Sequence, residues 1–161
     1  MKQRKDPQQI YWDSDCFLGH FNSEEGKTER CKETLKRAEN REIIIMTSVF
    51  TLAEVLYLKN RKPIPKSEAH IIKQFFKNDI RTANLNRYIS EFAQDLFWDH
   101  GIKPKDAIHV STALNLQSVE ILETFDKNLI SKSNTFYRPL SIRTPLLNAQ
   151  INMKFRDLKP N

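Results

Sequence analysis

The stretch EIIIMT, residues 42–47, constrains the fold more than any other. Three consecutive isoleucines favour extended backbone, because β-branched side chains pack well on a pleated surface. A strand apolar on both faces belongs inside a sheet that is covered on both sides. Shorter runs of the same kind recur along the chain. QIYW (9–12) reads as a short buried strand ending at Asp13, DIRTAN (79–84) as a short strand, SVEILETF (118–125) as a strand ending at Asp126, and LSIRT (140–144) as the last. Between them the apolar spacing is helical. CFLGHF (16–21) reads as a helical turn and residues 24–40 as an exposed, charged helix. SVFTLAEVLYLKN (48–60) reads as a helix capped by Thr47 or Ser48, and SEAHIIKQFFKN (67–78) as another, with Ala69, Ile72, Phe75 and Phe76 on one face. RYISEFAQDLFWDHG (87–101) puts Ile89, Phe92, Ala93, Leu96 and Phe97 on one face and ends at Gly101. Pro104 opens a further helix, PKDAIHVSTALNLQ. Strands alternating with helices predict an α/β fold with a largely parallel sheet.

At 161 residues the chain suits one domain. Residues 1–8 read as a tail, 9–147 as the domain, and 148–161 as a second tail or interaction arm. No apolar run approaches the roughly 20 residues a membrane span needs. The basic start, MKQRKDPQQ, lacks the apolar stretch of a secretory signal, so the expectation is a cytoplasmic protein. Cys16 and Cys31 read as reduced thiols. Cys16 and His20 have no further ligands nearby, which excludes a zinc site. The net charge is +6, and its distribution says more than its size. Residues 43–58 and 106–126 contain Glu54, Asp106, Glu120, Glu123 and Asp126 without one lysine or arginine. Residues 59–105 carry ten basic and five acidic side chains, and residues 127–161 seven basic side chains and only Asp157. A basic surface around an acidic centre suits a polyanion that meets metal ions.

Four acids stand out, each with an ordinary structural explanation. Asp13 and Asp126 follow strands, where aspartate commonly caps a turn or helix. Asp106 lies in the first turn of a helix, where the dipole favours an acid. Glu54 sits among apolar residues, as a salt-bridged or solvent-facing side chain would. Their agreement is the stronger signal: all four are embedded in apolar sequence, and ligands in parallel sheets bind at the carboxyl ends of strands. Clustered carboxylates repel one another unless cations lie between them. Hard oxygen donors suit Mg²⁺ or Mn²⁺.

IYWDSDCFL, TSVFTLAEVL, KPKDAIHVSTAL and LETFDKNL resemble, in order, the four acidic motifs of the PIN-domain family, and most of all its VapC-type toxins. The resemblance covers about residues 9–144. It implies a three-layer α/β/α sandwich and a metal-dependent endoribonuclease, the toxin of a toxin–antitoxin pair. It places the family's acids on Asp13, Glu54, Asp106 and Asp126 as catalytic and metal-binding residues, with Asp13 and Asp106 as core ligands of Mg²⁺ or Mn²⁺. Ser14 and Thr124 match hydroxyl positions beside the first and fourth acids. Asp15 reads as a helix cap or support, and His109, three positions past Asp106, as a core histidine within reach of the site. Leu129 replaces the aromatic that usually closes the fourth motif. Lys105, Lys127, Lys132, Arg138 and Arg143 are phosphate-binding candidates by proximity in sequence. The implied partners are RNA, an antitoxin and a second copy of the chain, with residues 24–40 and 66–78 as docking faces. Leu146, Leu147, Ile151, Met153, Phe155 and Leu158 suit a dimer arm or a packed tail.

Two rivals have other chemistry. Asp13-Ser14-Asp15 also resembles the nucleophile and general acid of a haloacid-dehalogenase-type phosphatase, but LETFDKNL offers one acid where that family needs a pair. The other rival is a PIN-like module that binds RNA or protein without turnover. Trp12, Trp98 and Phe97 read as core rather than as base-stacking platforms.

Overall fold

The computed structural model describes residues 6–58, 62–148 and 150. In chain order the first elements are β1 (Gln8–Trp12), α1 (Ser14–Phe21), α2 (Thr28–Glu39), β2 (Ile43–Ser48), α3 (Phe50–Glu54), β3 (Tyr57–Leu58) and β4 (Lys62–Pro63). They are followed by α4 (Ala69–Asp79), β5 (Arg81–Ala83), α5 (Arg87–His100), α6 (Pro104–Asn115), β6 (Val119–Glu123), α7 (Lys127–Ile130) and β7 (Ser141–Arg143). Five strands form one sheet in the order β5-β2-β1-β6-β7, and every pairing is parallel. The isoleucine strand β2 is interior, as its composition requires. Gln8 pairs with Ile43 and so belongs to the sheet rather than to a tail.

The side chains of β1 divide the interior. Ile10 and Trp12 point into a core with Cys16, Phe17, Cys31 and Phe76, whereas Tyr11 joins Leu96, Val110, Leu114 and Leu122. This period-two alternation puts α1, α2 and α4 over one face and α5 and α6 over the other. The result is an α/β fold with helices on both faces of a parallel sheet, as expected.

The predicted helix over residues 48–60 is corrected. α3 is one turn long, and Val55 leaves it to become buried. The chain then forms the two-stranded antiparallel pair β3–β4. Neither Thr47 nor Ser48 is the helix cap; Val49 is, although the Ser48 hydroxyl accepts the Phe50 N–H at 3.1 Å. The core assignment of two aromatics is also corrected. Trp12 is fully buried, but Trp98 is 71% exposed and Phe97 46%. α5 buries the stripe Ile89, Ala93 and Leu96, and Phe97 and Trp98 lie beyond its edge. α5 ends at Gly101, whose φ of 63° is readily adopted by glycine. The tail residues Ile151, Met153, Phe155 and Leu158 lie outside the described residues.

Candidate active site

After β1 the chain moves outward to β2 and β5, then returns across the sheet to β6 on the other side of β1. The order therefore reverses between β1 and β6, and a crevice opens at their carboxyl ends. Asp13 and Asp126 follow those two strands. Asp13 is the N-cap of α1: its Oδ1 accepts the Cys16 N–H at 3.3 Å. Asp126 caps α7, accepting from the N–H groups of Asn128 at 2.7 Å and Leu129 at 3.2 Å. Both acids thus have the ordinary capping role, which fixes one oxygen of each carboxylate. Capping falls to Asp13 and not to Asp15, which lies in the first turn of α1.

Thr124 joins the two motifs. Its hydroxyl accepts the Asp126 N–H at 3.0 Å and favours the charged form of the Asp13 carboxyl. Asp106 opens α6 opposite them, in the turn begun by Pro104. It shares with Asp126 a cleft of about 300 Å³, also lined by Lys103, Asn128, Ser131 and Lys132.

The carboxyl groups lie in an electrostatically unfavourable setting. Asp13, 4% exposed, has its pKa raised from 3.8 to about 7, by burial first and then by Asp15. His109, the Thr124 hydroxyl and the Cys16 N–H oppose that rise. Burial also raises Asp106, with Asp126 and Glu54 adding to it against His109 and Lys103. Asp15 is raised by burial, and further by Asp126, Glu24 and Glu54, against the pull of Lys27. The acids of four separate segments therefore feel one another's charge, and an added cation would relieve them all.

Glu54 has a specific partner. Its Oε2 is 2.6 Å from His109 Nε2, and its Oε1 is 4.0 Å from Lys105 Nζ. His109 is 1% exposed, and its Nδ1 is 2.9 Å from the Tyr11 hydroxyl, which accepts the Ser48 N–H at 3.1 Å. Burial holds Tyr11 in its protonated form. The Glu54 carboxylate accepts from Nε2–H, and Nδ1 bonds to the Tyr11 hydroxyl. One chain of hydrogen bonds thus ties β2, β1, α6 and α3 together and fixes Glu54. His109 is the core histidine expected, and it also orients a motif acid.

The phosphate candidates divide. Lys132 lines the acidic cleft, and Lys105 is 74% exposed beside Glu54. Lys127 is exposed in the first turn of α7. Two arginines are corrected. The Arg138 guanidinium donates to the carbonyls of Ala113, Leu114, Leu116, Val119 and Pro139, closing the end of α6. Arg143 donates to the buried carboxylate of Glu123 at 3.2 Å. Both groups already have internal partners in place of a phosphate. Ser14 starts α1 and is partly exposed. Sequence reasoning missed Lys103, Asn128 and Ser131 in the cleft, and Tyr11 behind it. Tyr11 had one usable signal, a hydroxyl in a strand otherwise wholly apolar at its buried end.

Among the described residues, no group of three or more His, Cys, Asp or Glu side chains is placed close enough together to hold a metal ion. The donor chemistry nevertheless fits a hard divalent ion: Asp13, Asp106 and Asp126 offer oxygen donors, and the charge of Asp126 raises Asp106. Glu54, held by His109, fits an outer position. No described helix is long and apolar enough to cross a membrane.

The family model for the PIN domain matches residues 10–134. Among solved structures, the fold is similar to Mycobacterium tuberculosis VapC20, described as a sarcin–ricin loop cleaving toxin. The TM-score is 0.59 at 16% identity, over 76% of this chain and 93% of that one. No curated protein matches the chain in sequence.

Proposed function

Given that the chain belongs to the PIN-domain family, we propose that it is a metal-dependent endoribonuclease, the toxin of a toxin–antitoxin pair acting in the cytoplasm. The supporting observation is the placement of Asp13 and Asp126 at the carboxyl ends of the two strands that flank the switch point, with Asp106 across the cleft from Asp126, and burial raising the pKa values of Asp13 and Asp106. When bound by these three acids, Mg²⁺ or Mn²⁺ would supply a nucleophile at neutral pH and offset charge on the leaving oxygen. The protein's own part is positioning. The caps on α1 and α7 fix Asp13 and Asp126, and Thr124 sets their spacing. His109 and Tyr11 hold Glu54 beside them. Lys103 and Lys132 flank the cleft and would draw in a phosphodiester, with Lys105 and Lys127 farther out.

Partners follow from the same reading. RNA is the substrate. An antitoxin would cover the apolar groove of about 410 Å³ between α3 and α4, where Leu52, Leu56, Ile72 and Phe76 meet Lys73 and Lys77. A homodimer is the third expectation. Family membership displaces the dehalogenase-type phosphatase. A silent RNA- or protein-binding module is the second reading, favoured by one observation: Glu54 is already paired with His109.

The test is cleavage of a varied RNA pool in Mg²⁺ and in Mn²⁺, with EDTA and an Asp106→Asn protein as controls. Metal-dependent cleavage lost in the variant is the expected result. Equal cleavage by the variant ends the nuclease reading, and metal binding without cleavage favours the silent module.

A further inference from the structure

α5 ends in two aromatic side chains that the core does not take. Trp98 and Phe97 are exposed, with ring centroids 6.3 Å apart in an edge-on arrangement. With Ser90, Gln94, Pro104 and Ile108 they line a cleft of about 340 Å³ between α5 and α6. Its far wall is the first turn of α6, the turn that carries Asp106. Pro104 and Ile108 line the aromatic cleft, whereas Lys103 and Asp106 line the acidic one. A single helical turn is therefore the ridge between the two, and the exposed Lys103 and Lys105 stand on it.

This neighbourhood selects a kind of ligand. A flat apolar side chain takes the face of a nucleobase, and lysines on the adjoining ridge take the phosphates on either side. The proline ring and Ile108 supply an opposite apolar wall. The Gln94 amide offers a donor and an acceptor to a base edge, and the Ser90 hydroxyl, which donates to the Asn86 carbonyl, offers a further acceptor. In a duplex the base faces are already stacked, so only an unpaired nucleotide can enter.

We propose that the Trp98–Phe97 cleft is a nucleobase-stacking subsite that holds an unpaired nucleotide next to the phosphodiester at Asp106 and Asp126. This rests on the ribonuclease reading and narrows it: the RNA is single-stranded at the point of cleavage. The cationic ridge and the shared wall with the acidic cleft favour RNA over a second copy of the chain as the occupant.

The test uses the full chain carrying Asp13→Asn, which keeps RNA uncut in Mg²⁺ and still caps α1, since asparagine caps as well as aspartate. A labelled single-stranded oligonucleotide of mixed sequence is titrated in, and separately its duplex. Anisotropy reads binding and tryptophan emission reads the cleft, because Trp12 is fully buried and leaves Trp98 as the responsive fluorophore. The expected result is quenching by the single strand only. Trp98→Ala then weakens binding about tenfold, and Trp98→Phe restores most of it. In the active protein, Trp98→Ala raises KM and leaves kcat nearly unchanged. Unquenched emission, with RNA bound equally well by Trp98→Ala, overturns the subsite and leaves the nuclease standing. Equal binding of the duplex overturns it too. A dimer that dissociates in Trp98→Ala, with RNA affinity unchanged, assigns the cleft to a second copy. Absence of both RNA binding and cleavage overturns the subsite and the nuclease together.

Discussion

Asp13 and Glu123 are neighbours across the sheet with opposite surroundings. The Asp13 N–H donates to the Glu123 carbonyl at 3.3 Å, and both carboxyl groups are buried at the ends of adjacent strands. Burial raises the pKa of each. Glu123, however, accepts from Trp12 Nε1 at 2.9 Å and from Arg143 at 3.2 Å, and Thr34 is 3.5 Å away. Arg143, these bonds and Arg37 all oppose its rise. Asp13 has an N–H, a hydroxyl and His109 on its side, with Asp15 set against it. A buried acid that the fold has already neutralised is architecture. One that the fold leaves in deficit points to a missing cation.

Exchanging each acid for its amide should split the two roles. Asp13→Asn is expected to abolish RNA cleavage while raising the stability of the metal-free protein at pH 8. Glu123→Gln leaves the partly buried Arg143 without its counter-charge. It should cost about 3–5 kcal/mol in urea unfolding, yet retain cleavage per folded molecule. The reverse pattern would erase the distinction. His109→Gln is the next largest effect. Losing the ties to Glu54 and Tyr11 should cost about 1–3 kcal/mol and lower kcat roughly tenfold; an unchanged kcat would remove Glu54 from the site. Lys132→Ala should act least, raising KM a few-fold at low salt and hardly at all at high salt.

Much of this contrast was legible in the sequence, and part of it was not. The isoleucines of β2 and the strand-ending acids Asp13 and Asp126 announced a parallel sheet with its site at one edge. Local patterns carry that information, because strand and helix periodicities are local. Glu123 was present in the acidic segment yet went unremarked, since its partners Trp12, Thr34 and Arg143 meet only in three dimensions. Arg138 and Arg143 misled for the same reason: proximity in sequence to Asp126 says nothing about which carbonyl or carboxylate they reach. Trp98 misled because helical spacing marks a stripe, while the width of that stripe is decided by what packs on it. Glu54 was placed in a helix of the wrong length, because VLYL suits helix and strand equally and tertiary packing decided.

The central claim is that Asp13 is held at a loss until a cation arrives. A carboxyl raised from 3.8 to about 7 in the folded state binds more protons there than in the unfolded chain. Stability must then fall as pH rises from about 4 to about 7, by an amount on the order of 4 kcal/mol for that shift. The decisive measurement is unfolding free energy against pH over that window, in EDTA and in Mn²⁺, for the wild-type chain and Asp13→Asn. The account predicts a decline in EDTA that Mn²⁺ reverses, and for Asp13→Asn a much flatter profile with little response to Mn²⁺. A wild-type profile that is flat in EDTA, or one that Asp13→Asn leaves unchanged, would contradict it.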